Sequence, residues 1–60
     1  MSMTIEDVIR LARERAEEER ALACEYEANG FPSAALPHDV ASATMERFAR
    51  TIDTLRGMYG

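Results

Sequence analysis

The chain has 60 residues and a net charge of -4, enough for one domain that buries only about 60% of the surface its unfolded form exposes. Scaffolds of this size gain stability from disulfides, a structural metal or oligomerisation. A single cysteine, Cys24, rules out an internal disulfide, and a single histidine, His38, offers no Cys/His cluster at zinc-ligand spacing. Self-association is the remaining route.

Hydrophobic residues make up 47% of the chain and charged residues 30%, with few Gly and Pro. Ala, Glu, Arg, Leu and Met dominate, and all are good helix formers. The expectation is an all-α fold. No apolar run approaches the roughly 18 residues needed to cross a bilayer. The first residues show no basic region followed by an apolar stretch, so no signal peptide is expected. With one unpaired cysteine, these features predict a cytoplasmic protein. Seven Arg, no Lys and abundant Ala suggest a GC-rich bacterial or phage coding source. Residues 1–30 hold eight acids and four Arg, whereas residues 31–60 hold three of each, so the whole negative excess lies in the first half.

The first predicted helix covers 4–28. Thr4-Ile5-Glu6-Asp7 has the form of a capping box, with a hydroxyl at the start and an acid three residues on. Opposite charges then recur four residues apart, at Glu6–Arg10, Arg10–Glu14, Arg13–Glu17 and Arg15–Glu19, a spacing that helices use and strands cannot. At 100° per residue Ile5, Val8, Ile9, Ala12, Ala16 and Ala23 share one face, and Leu11, Leu22 and Tyr26 widen it to roughly 160°. Glu19 interrupts this arc; the reading adopted is a long side chain reaching solvent beside Arg15, the sharper alternative a buried group that sets helix register.

Asn29-Gly30 ends the helix, with Gly30 suited to the left-handed position past its end and Phe31 packing back on Tyr26. Residues 29–37, bracketed by Pro32 and Pro37, are expected to form an elbow short enough to enforce antiparallel packing. The second predicted helix covers 38–57, with Asp39 at its start and Gly57 and Gly60 weakening its end. Ala41, Met45, Phe48, Ile52, Leu55 and Tyr59 recur at alternating steps of four and three, a heptad seam, with Val40, Ala49 and Met58 beside it.

A lone hairpin has one interhelical groove and would leave part of both arcs in water. The expectation is therefore an antiparallel two-helix hairpin that pairs into a four-helix bundle, a homodimer. Its core and self-association residues are Ile5, Val8, Ile9, Ala12, Ala16, Leu22, Ala23 and Tyr26 from the first helix, with Met45, Phe48, Ile52, Leu55 and Tyr59 from the second.

Candidate chemistry is sparse. Cys24 has no basic neighbour in sequence to lower its pKa and reads as a small, partly buried hydrophobe. His38-Asp39 reads as a helix start. No phosphate loop, HExxH or CxxC is present, so neither enzyme activity nor a cofactor is expected. Glu14, Glu17, Glu18, Glu19 and Glu25 form an acidic run. It is either solvated surface or a patch that steers a protein partner with a basic surface. Nucleic-acid binding through Arg47, Arg50 and Arg56 is disfavoured by adjacent acids and the overall charge. The functional expectation is a protein-binding module that regulates or inhibits a partner, of the kind a phage or mobile element makes as an anti-defence protein. A structural assembly subunit is the alternative, and an RNA-binding hairpin dimer a weaker one.

Overall fold

A computed structural model describes residues 2–59. Two helices, α1 (Ile5–Ala28) and α2 (Pro32–Tyr59), pack against each other, and the described residues contain no strand. Glu6 meets Arg56, Arg13 meets Asp53 and Arg20 meets Glu46, so the helices run antiparallel.

The start of α1 follows from its sequence. The amide of Asp7 donates to Thr4 Oγ1 and the amide of Thr4 donates to Asp7 Oδ2, each at 3.1 Å, which completes the capping box. The end of α1 is equally local. Gly30 has φ +84°, and the amides of Gly30 and Phe31 donate to the carbonyls of Glu27 and Tyr26. This Schellman pattern satisfies two carbonyls that a helix end leaves free.

The elbow differs from expectation. It is Asn29–Phe31 rather than residues 29–37, and α2 begins at Pro32 with Pro37 inside it. Pro32 needs no partner for its missing N–H in the first turn, and its fixed φ suits a helix. The amides of Ala34 and Ala35 donate to the Phe31 carbonyl, which starts the helix. Pro37 removes one bond, to Ser33, and disfavours helical Leu36. That carbonyl lies in an exposed first turn where water can serve it. The extra helix carries Ala35 into burial against α1 and brings His38 to Glu19. Asp39 is thus a residue of the second helical turn, not a cap. At the other end α2 runs through Gly57 to Tyr59; Gly60 lies outside the described residues.

The seam between the helices is made of small side chains. In α1 it comprises Ile9, Ala12, Ala16, Glu19 and Ala23; in α2 Ala35, Ser42 and Ala49 are buried, with His38, Met45 and Ile52 half-buried between them. The α2 seam therefore differs from the predicted one. At 3.6 residues per turn it is rotated by roughly 70° from the stripe through Ala41, Phe48, Leu55 and Tyr59. Methyl-sized groups let the helix backbones approach closely, which puts the larger residues at the margins. Ile5, Leu22, Tyr26, Phe48, Leu55 and Tyr59 are all exposed and lie outside the intramolecular core.

The molecule is consequently a slab of 45 × 24 × 11 Å, one helix thick. Its radius of gyration is 14.0 Å, against about 10 Å for a compact 60-residue domain.

Candidate self-association and partner surface

The slab has two broad faces with different chemistry. On one, Arg13–Asp53 (3.7 Å), Arg56–Glu6 (3.1 Å) and Arg20–Glu46 tie α1 to α2. Shallow grooves here are lined by Arg13, Glu17, Glu46 and Arg50. Two of the predicted pairs within α1 give way to this arrangement. Glu6 and Arg13 reach α2 instead of Arg10 and Glu17, while Arg10–Glu14 and Arg15–Glu19 form as expected.

The opposite face is apolar. Helical geometry places Val8, Leu11, Leu22 and Tyr26 of α1 on the same side of the hairpin as Ala41, Phe48 and Leu55 of α2. Phe48 is 44% exposed and Leu55 43%. Between the open ends of the helices, Ile5, Val8, Ile52, Leu55 and Tyr59, with Arg56 beside them, line a mostly apolar cleft.

A polar cluster lies at the seam on the apolar side. Glu19 is only 6% exposed, which overturns the solvent-reaching reading and removes it from any exposed acidic patch. Nδ1 of His38 donates to its Oε2 at 2.5 Å, and Arg15 binds its Oε1 at 3.0 Å. The His38 hydrogen bond holds the Glu19 carboxyl below its ordinary value of 4.5, with the Arg15 charge adding to it and burial opposing. The His38 ring stacks on Tyr26, centroids 5.4 Å apart. A buried carboxylate is tolerable here because both oxygens are bonded and the Arg15 guanidinium lies beside it. Ser42, one helical turn past His38, has a buried hydroxyl with no hydrogen-bond partner.

The rest of the acidic run is dispersed. Glu14 and Glu18 are exposed and pair with Arg10 and Arg15, Glu17 lines the ion-paired face, and Glu25 is exposed, with no salt bridge among the described residues. Cys24 is exposed rather than partly buried. Among the described residues no three His, Cys, Asp or Glu side chains converge as metal ligands, and no helix is long and apolar enough to cross a membrane.

Sequence reasoning missed His38, Ala35, Ser42 and Ala49 as seam residues. The usable signal was small side chains seven apart: Ala16–Ala23 in α1 and Ala35–Ser42–Ala49 in α2. Comparison with protein-family models, curated proteins and solved structures finds no match to this chain.

Proposed function

We propose that the chain is a non-enzymatic protein-interaction module that first pairs with a second copy through its apolar face, forming a four-helix bundle, and then regulates or inhibits a partner protein through the acidic exterior. The observation that carries the self-pairing is the division of faces. Ion pairs close one side of the hairpin, and Leu11, Leu22, Tyr26, Phe48 and Leu55 gather on the other. Area supports the same reading. The single chain exposes 4674 Å², roughly 800 Å² more than the roughly 3,900 Å² expected of a compact monomer of its mass. That excess matches the ~800 Å² each partner contributes to a standard interface.

The outward partner surface is then the back of α1, where Glu14 and Glu25 stay in water. Such a surface suits a basic partner, attracted by long-range charge and sensitive to salt. A phage or mobile-element inhibitor of a host factor fits these properties; a structural assembly subunit would use the apolar face instead.

Two measurements test the reading. Light scattering on the full chain is expected to give twice the monomer mass. Phe48→Glu with Leu55→Glu is expected to give a monomer that keeps its helical circular dichroism. A wild-type monomer at high micromolar concentration would sink the self-pairing. For the partner surface, reversing Glu14 and Glu25 together is expected to abolish capture of a basic partner while the dimer persists; undiminished capture argues for the assembly-subunit alternative.

A further inference from the structure

The apolar face carries information about how a second copy sits on it, and this inference rests on the self-pairing proposed above. We infer that the second copy lies antiparallel on the face, related by a two-fold axis at mid-length, so that the elbows point in opposite directions and each helix packs on its own counterpart.

The outer stripe of α1 reads Leu11, Arg15, Glu18, Leu22, at steps of four, three and four. The spacing is symmetric about the point between Ala16 and Glu17, which is also the midpoint of Ile5–Ala28. Reversing a copy about that point exchanges Leu11 with Leu22 and Arg15 with Glu18. Leucine then meets leucine, and each cation meets a carboxylate, on both sides of the axis. Arg15 can reach across: its side chain is 62% exposed, and its guanidinium, bonded to Glu18 and Glu19 of its own helix, keeps further donors. An isologous interface requires this reciprocity, since residue i must suit residue j and the reverse.

The α2 stripe is graded in size. Ala34 and Ala41 lie towards the elbow, and Phe48 and Leu55 towards the open end. Reversal about the point between Thr44 and Met45 sets Ala41 against Phe48 and Ala34 against Leu55. Large side chains then face small ones, as close packing demands. The two centres agree. The cluster of Ile9, Ala12, Ala49 and Ile52 sets the register between the helices, and it brings the middle of α1 level with Thr44 and Met45. One axis therefore serves both helices.

The competing arrangement puts the elbows together and lays α1 on the partner's α2. It would crowd Val8 and Leu11 against Phe48 and Leu55 at the open end, set Leu22 and Tyr26 against Ala34 and Ala41 at the elbow end, and leave Arg15 and Glu18 facing Thr44 and Met45. Size complements at one end only, and charge at neither.

Spin-label distances separate the two arrangements. Ser33 lies in the exposed first turn of α2, beside the elbow. The full chain with Cys24→Ser and Ser33→Cys, nitroxide-labelled, is first checked for mass by light scattering. In the inferred dimer the two labels stand roughly 35–40 Å apart, from the 1.5 Å rise per residue. A second variant, Glu17→Cys in the same background, labels mid-length and is expected to give a distinctly shorter distance, set by the bundle's width. Ser33 labels closer than the Glu17 labels would overturn the antiparallel arrangement while leaving the dimer standing. A monomer by light scattering overturns the self-pairing itself, and this inference with it.

Discussion

The ion-paired face and the apolar face are built on the same two helices, yet they do different work. The first joins α1 to α2 through long, largely exposed side chains, and such pairs contribute about 0–1 kcal/mol each. The second holds most of the large apolar area and leaves it unused within one chain. Between them runs a seam of alanines, where a buried methyl contributes only about 0.8 kcal/mol. The comparison shows a hairpin whose internal glue is modest on every surface it owns. Its strongest potential contribution to stability lies on the face directed away from itself.

The contrast can be broken most severely at Phe48. If the apolar face is buried against a second copy, Phe48→Ala should cost about 3–5 kcal/mol per site and lower the melting temperature most at low protein concentration. A shift within about 0.5 kcal/mol that ignores concentration, as for ordinary surface positions, would make the two faces equivalent. The seam is next. Ala49 is fully buried, so Ala49→Leu should force the helices apart and destabilise by about 1–3 kcal/mol in denaturant unfolding. Gly30→Ala follows, because a side chain at φ +84° costs about 1–2 kcal/mol in the left-handed region.

Smaller effects sharpen the other face. Arg13→Ala should cost no more than about 1 kcal/mol, independent of protein concentration, and the loss should shrink in high salt. The polar cluster is visible as a pH slope. The Glu19 carboxyl titrates below 4.5 in the folded chain, so its contribution is full above that value. It is lost as pH falls through the depressed folded pKa, since the unfolded state binds the proton first. Glu19→Gln should flatten that part of the acid-unfolding profile; an unchanged profile would locate the acid sensitivity elsewhere, with Asp7 the next group, held low by its hydrogen bonds to Thr4.

Where physics is local, the chain could be read directly. The Thr4–Asp7 box and the Gly30 turn depend on residues three to five apart, and both appear where the sequence places them. The periodicity of α1 likewise identified its buried side, because Ile9, Ala12, Ala16 and Ala23 are both apolar and central. In α2 the same reasoning followed hydrophobicity and caught Met45 and Ile52 but set the stripe about 70° off the seam. Burial there is decided by size, and a pattern of apolar residues does not reveal that the neighbouring helix offers mostly alanine methyls.

Sequence alone therefore determined the two helices, both caps of α1 and the excess of apolar surface, because hydrogen-bond closure, glycine's backbone freedom and side-chain periodicity act within a few residues. Tertiary structure decided that α2 begins at Pro32, that Glu19 is buried against His38, and which side of α2 meets α1. Each of those outcomes depends on a partner distant along the chain. Only when the two helices meet does the gain from packing Ala35 and bonding His38 outweigh the hydrogen bond that Pro37 cannot make.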